Sequence, residues 1–306
     1  MPAPFIPESR LRLRHVTPFG PGLLQMRKSI TLYGLTFSLP MLVWQLAFFL
    51  APLIFLIALS FWTVKNFRMM PDFDTVNWVR MLGRGVFWDA YFRTLLLALS
   101  ASVITSALAF PCAYGIAFKL GETARRWAVF LMVIPFFTSY LVRVYSWQVF
   151  LSDNGIINAL FSMVGLGPYG MLNSVFGMMV GYLTLSFPLV VLLQLFSLMF
   201  VDRTLIEAAH NLRCGRLRTV FEVVVPSARV GLVIAALFCF ILTFGDFVSP
   251  LYLGGGDPPT LSILITDTTK SGQQWPRAAV IALTMVGTLL AVAFAAVSYA
   301  YRERGR

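Results

Sequence analysis

Two charged side chains, Arg143 and Asp246, fall inside the long apolar stretches of this 306-residue chain. A charge at membrane depth costs about 2.5–3.5 kcal/mol on insertion scales, so each calls for a partner. Asp246, with Tyr140, Tyr145, Trp147, Phe247 and Tyr252, can offer a carboxylate and aromatic faces to an ammonium ion. A belt of aromatic residues at a membrane interface accounts for the same Trp and Tyr. Counted along straight helices entering from one side, Arg143 and Asp246 share a depth of roughly 24 Å at about 1.5 Å per residue. The expectation is either a direct pair or two charges flanking one water-filled mouth, with snorkelling of Arg143 to the interface as the simpler alternative.

A second concentration of polar chemistry is the stretch EAAHNLRCGRLRTVFEVVVPSARVGL, residues 207–232. Thr204-x-x-Glu207 and Thr219-x-x-Glu222 each match a capping box, in which hydroxyl and carboxylate satisfy the free amides of a helix start. The spacing predicts two short helices with a turn at Arg213–Gly215, where Gly215 supplies a positive φ. Pro226 ends the second helix, and Leu205, Ala208, Ala209 and Leu212 line one side of the first. Such a knob suits docking of a soluble partner.

Other reaction chemistry is missing. Walker A, HExxH and GxSxG motifs are absent, so no motif equips the chain to hydrolyse ATP or transfer an acyl group. The GLGPYG sequence at 165–170 lacks the strand–turn–helix context of a dinucleotide site. Cys112, Cys214 and Cys239 have no CxxC spacing and no histidine companions, so neither a disulfide nor a metal site is expected.

The elements that hold these residues are membrane helices. The chain is 58% hydrophobic and 12% charged, with a mean hydropathy of +0.78, against roughly 25% charge in a soluble domain. Apolar runs long enough to cross a bilayer lie near 39–61, 94–118, 127–151, 175–199, 230–250 and 278–301. The sequence therefore predicts an all-α integral membrane protein with six transmembrane helices and no barrel. The net charge of +11 reflects topology and not nucleic acid. Basic residues gather before the first run (Arg10, Arg12, Arg14, Arg27, Lys28), after the second (Lys119, Arg125, Arg126), after the fourth (Arg203, Arg213, Arg216, Arg218, Arg229) and in the tail. The opposite gaps are poorer in Lys and Arg. Both termini and the 203–226 loop are thus expected on the cytoplasmic side.

The expected layout is a cytoplasmic segment 1–38 with an interfacial helix near 22–32, a six-span domain 39–301, and a tail 302–306. The first run is long and lies far from the start, so it is expected to remain as an anchor. The gap before residue 94 is expected to hold a short interfacial helix around Trp78 and Trp88, and 152–174 a re-entrant or interfacial helix closed by a turn. Pro52, Pro111, Pro135, Pro188 and Pro250 invite kinks, and Gly177-Met-Met-Val-Gly181 permits close helix packing. A secondary transporter would require more acidic or His residues at mid-membrane and an internal repeat. A membrane enzyme would require a paired carboxylate, His or Cys constellation.

Glu207-Ala208-Ala209, Arg218-Thr219 and Pro226, nineteen residues after the glutamate, resemble the EAA loop of ABC importer permeases, with Arg213 in place of the family's glycine. FFTSYLVRVYSWQVFLSDNGIIN (136–158) and FGDFVSPLYLGGG (244–256) resemble segments of the spermidine/putrescine-type permeases. The resemblance covers approximately residues 40–300. It implies a bacterial inner-membrane subunit that moves a small, cationic solute such as a polyamine inward by alternating access. It also implies ATPase coupling through Glu207, Ala208, Ala209, Arg213, Gly215, Arg218 and Pro226. The partners it implies are a second homologous permease, two copies of a cytoplasmic ATPase that bind ATP and Mg, and a soluble solute-binding protein. No cofactor is expected in this chain.

Overall fold

The computed structural model describes residues 37–302. The segment before residue 37, with the interfacial helix expected near 22–32, and residues 303–306 lie outside the described residues. The chain divides into two compact units, Met1–Phe55 and Leu56–Arg306. Most of helix α1 (Phe37–Ser60) belongs to the first unit. Most of its apolar side chains, among them Phe37, Trp44 and Phe49, are exposed, as a lipid-facing helix permits.

The second unit begins with a hairpin, β1 (Thr63–Lys65) against β2 (Arg68–Met70), paired Thr63↔Met70 and Lys65↔Arg68. Asn66 and Phe67 turn it with φ of 50° and 59°, as two-residue hairpin loops require. This hairpin corrects the all-α expectation locally. The short helix expected nearby is α2 (Val76–Leu82). There follow α3 (Gly85–Phe118), α4 (Glu122–Phe137), α5 (Tyr140–Leu151), α6 (Ile156–Met163), α7 (Val175–Met199) and α8 (Arg203–Asn211). The chain closes with α9 (Arg216–Phe244), α10 (Val248–Tyr252), α11 (Leu261–Lys270) and α12 (Trp275–Tyr301).

Helices α3, α7 and α9 form the core. Ala109, Ala113 and Ala117 near the end of α3 pack on Val190, Leu195 and Leu198 in the second half of α7, and on Val224 and Ala228 in the first half of α9. Phe87, Ala90 and Ala98 of α3 pack instead on Phe240 and Phe244 at the end of α9 and on Val280 and Ile281 at the start of α12. Helices α3, α7 and α12 therefore run one way and α9 the other, as alternate membrane passes require. Small residues permit the close approach that favours helix association in lipid. A Cβ at Gly231 of α9 would collide with Ser197 of α7, whose hydroxyl donates to the Ala228 carbonyl at 3.0 Å.

Five described helices are long and apolar enough to span a bilayer, or six if a bent pair counts as one. That pair replaces the expected single span over 127–151, with a bend just after Pro135, one of the prolines expected to kink a helix. Residues 122–137 and 140–163 meet at a 91° bend, where Pro135 tightens the last turn and Thr138 is extended. The 230–250 stretch is corrected as well, because α9 starts at Arg216 and stops at Phe244.

Two prolines share one accommodation. The turn before Pro52 widens so that Ala51 N–H reaches the Leu46 carbonyl, and the turn before Pro226 widens so that Val225 N–H reaches Val220. A proline removes an amide and clashes with the carbonyl four residues back, and one wide turn relieves both without breaking the helix. Pro226 consequently does not end a helix as expected. It lies inside α9, and the second loop helix and the fifth span are one element.

Candidate functional site

At one end of the bundle, α8 projects from the connection between α7 and α9. Asp202 caps it, its carboxylate accepting the Thr204 amide at 2.9 Å. That backbone hydrogen bond holds the Asp202 carboxyl below the ordinary carboxylate range. The capping box at Thr204–Glu207 is therefore not formed. Asp202, two residues earlier, takes the amide, and Glu207 stands exposed within α8. Nor is the second box formed. The Thr219 hydroxyl donates back to Gly215 O at 3.1 Å, and Glu222 accepts from Arg218 Nε at 2.9 Å.

The turn also differs from the expectation. Arg213 has φ 59°, whereas Gly215 has φ −64° and leads into α9. Cys214 N–H bonds to Ala209 O at 3.0 Å and Arg213 N–H to His210 O at 2.9 Å. These two bonds form the 6→1 and 5→2 closure that puts its left-handed residue immediately after the C-cap Leu212. The position is fixed by the helix end, so Arg213 takes the conformation although Gly215 is better suited to it. Of the predicted apolar side, Leu205, Ala208 and Leu212 are exposed, while Ala209 is buried. Leu212 (84% exposed), Leu217 (76%) and Phe221 extend the apolar surface into the start of α9.

At the opposite end, α9 stops at Phe244 and the chain breaks at 245–247 before α10. Asp246 is 8% exposed. It accepts the amides of Val248 at 3.0 Å and Ser249 at 3.1 Å, and the Tyr140 hydroxyl at 2.8 Å. Tyr140's single proton is committed to the carboxylate, so the Ser249 hydroxyl, in close contact with Tyr140, donates to it. The carboxylate thus starts α10 and ties it to α5 across the bend. Buried without such donors, a carboxylate would be costly.

Arg143 does not pair directly with Asp246. Its Nη1 donates to Thr184 O of α7 at 3.1 Å, and its guanidinium carbon lies 5.8 Å from the Tyr140 ring centroid. Tyr140 thus stands beside both charges. The 91° bend also removes the equal-depth argument, which required two straight helices. Among the other candidates, Tyr145 packs against Tyr252 with ring centroids 4.9 Å apart and planes tilted by 59°. Trp147 joins the apolar cluster of Val144, Leu151 and Leu253. Phe247 lies half-buried in the break.

The sequence reading missed Ser249 and Thr184, while the close packing expected of the glycine pair in α7 is present, with α10 as the partner. A Cβ on Gly177 would lie 2.6 Å from Leu253 O, and one on Gly181 would strike the Ser249 side chain. The GMMVG spacing therefore serves packing of α7 on α10, an element concealed within an apolar run.

Among known proteins, the chain is 25% identical over 245 residues to the spermidine/putrescine transport system permease protein PotB of Escherichia coli (strain K12), covering 79% of this chain and 88% of that protein. The PotB of Haemophilus influenzae is 27% identical over 253 residues, with 81% and 87% covered. Among solved structures, a bacterial alginate ABC transporter in complex with an alginate pentasaccharide-bound periplasmic protein contains a chain of like fold. Its TM-score is 0.66 at 17% identity, with 89% of this chain and 94% of that one covered. The family described as the binding-protein-dependent transport system inner membrane component matches residues 105–303, and the chain belongs to it.

Proposed function

We propose that this chain is the translocating subunit of an importer for a small cationic solute of the polyamine type, driven by a separate cytoplasmic ATPase. The observation that carries the coupling role is the exposed knob of α8. Glu207 is exposed on α8, and so are Leu205, Ala208, Leu212 and, at the start of α9, Leu217, side chains that the bundle leaves open and a partner's groove can cover. In this reading the knob lies on the cytoplasmic side with both termini, Gly215 and Arg218 shape its base, and the wide turn before Pro226 conducts movement into α9. A second homologous permease, two ATPase copies holding ATP and Mg, and a soluble binding protein complete the assembly. Transport requires that each partner bind inward and outward states unequally.

The break at 245–247 is proposed to line the pathway. Asp246 is already occupied by three donors, so a passing ammonium ion meets the Tyr145 and Tyr252 faces more readily than the carboxylate. The polyamine class is supported by the resemblance to PotB. Uptake of labelled putrescine and spermidine into proteoliposomes with the cognate binding protein tests it. Saturable uptake, with each amine competing for the other, is expected. Uptake of another small nitrogenous solute in preference to amines overturns the substrate class and leaves the permease assignment standing.

A further inference from the structure

Three cavities lie side by side along α3 and α12, at the end of the bundle away from α8, each sharing lining residues with the next. The first, about 280 Å³, is polar and lies between Arg84, Asp267, Gln274 and Arg277. The second, about 340 Å³, shares Arg84 and Thr268 with the first and is otherwise mostly apolar, with Met81, Phe87 and Leu264. The third, about 490 Å³, shares Phe87 with the second and runs between Tyr91 and Leu95 of α3 and Gly287 and Ala291 of α12. A bond of 2.9 Å between the Tyr91 and Thr288 hydroxyls joins the two helices beside it.

The polar cavity carries unmet charge. Arg80 and Arg84 lie close enough to act electrostatically on Arg277. None of these arginines, nor Asp267, enters an ion pair among the described residues. Arg277 Nε is buried without a hydrogen-bond partner. Guanidinium groups crowded in this way match a phosphate, whose oxygens accept paired N–H donors. Asp267 in the same cavity leaves room for an attached amine. From Arg277 to Val292 the helix rises about 22 Å, more than the roughly 15 Å of hydrocarbon in one leaflet.

We propose that these adjoining cavities together form a binding site for one phospholipid with an ethanolamine headgroup. The phosphate lies between Arg84 and Arg277, the ammonium on Asp267, and an acyl chain in the α3–α12 groove past Gly287. Charge complementarity at one end and an adjoining apolar groove at the other favour a lipid over a free anion. A free anion would use only the first cavity.

Native mass spectrometry of the full chain, purified with its partner subunits, tests the site without reference to transported solute. The wild type is expected to retain a phosphatidylethanolamine. Retention should fall about tenfold or more in Arg84→Gln/Arg277→Gln, as loss of charged hydrogen bonds implies. It should also fall in Gly287→Leu, which fills the groove. A Cβ at Gly287 meets no atom within 4 Å, so this variant keeps the fold, and an unchanged melting temperature verifies that. Asp267→Asn should shift retention toward phosphatidylglycerol. Equal retention in all variants, no retained lipid in the folded wild type, or arginine-dependent binding of inorganic phosphate that Gly287→Leu leaves unchanged would each overturn the proposal.

Discussion

The two ends of α9 are held by different kinds of hydrogen bond. From the α8 cap through the first two turns of α9 the side-chain bonds are local: Asp202 with Thr204, Thr219 with Gly215, Arg218 with Glu222. At its finish they join distant parts of the chain: Tyr140 with Asp246, 106 residues apart, and Arg143 with Thr184, 41 apart. A region held by local bonds can move as a unit against its surroundings. A region held by buried long-range bonds ties three helices into one arrangement and opens only when several bonds break together. The proposed handle and the proposed pathway therefore differ in stiffness as well as position.

Substitutions at the far end should have the largest effects. Asp246→Ala leaves two α10 amides and the Tyr140 hydroxyl without their acceptor, and we expect a loss of about 3 kcal/mol, read as a lower midpoint of thermal unfolding in detergent. Asp246→Asn, which keeps one acceptor oxygen, should lose less. If Asp246→Ala melts like the wild type while abolishing uptake, Asp246 contacts solute and the structural role is wrong. Gly181→Ala drives a methyl into Ser249 and should cost about 2 kcal/mol by overpacking α7 against α10. Tyr140→Phe removes one donor and should cost about 1–2 kcal/mol. Thermal melts check both variants, and coupling between Tyr140→Phe and Asp246→Asn in a double-mutant cycle checks that the pair is shared.

The loop should respond weakly and in the opposite direction. Arg213 holds a left-handed conformation at a cost of about 1 kcal/mol or slightly more. Arg213→Gly is therefore expected to stabilise the loop by about that amount, seen as slower amide exchange over residues 203–219. A destabilised Arg213→Gly would mean that the arginine side chain contributes a contact that outweighs its backbone strain.

The same contrast separates what the sequence revealed from what it did not. Length and hydropathy located α3, α7 and α12 to within a few residues at most ends, because an apolar run of bilayer length has few alternatives to a helix. The same averaging concealed the 91° bend at Thr138–Ser139 and the break at Asp246, since composition carries no direction. Inside the loop the helices were legible but their caps were not. Asp202 and Thr204 both suit an N-cap, and the competition was settled by where α7 released the chain. Arg213 shows the same logic at the other end of α8, where a helix terminus fixed the left-handed position against residue preference. Thr184 meets Arg143, and Tyr140 meets Asp246, only through tertiary packing that no spacing announces, whereas Ser249 lies three residues after Asp246 and Tyr140 three before Arg143.

The coupling role of α8 is the central claim, and ATP hydrolysis stimulated by the solute-loaded binding protein tests it most directly. In proteoliposomes containing the assembled complex, Glu207→Ala should keep the subunits together and leave the melt unchanged, since Glu207 caps nothing. Stimulated hydrolysis should fall about tenfold, the equivalent of about 1.4 kcal/mol of lost contact. Wild-type stimulation in Glu207→Ala, repeated in Glu207→Gln, would contradict the assignment of α8 as the handle through which ATP drives this permease.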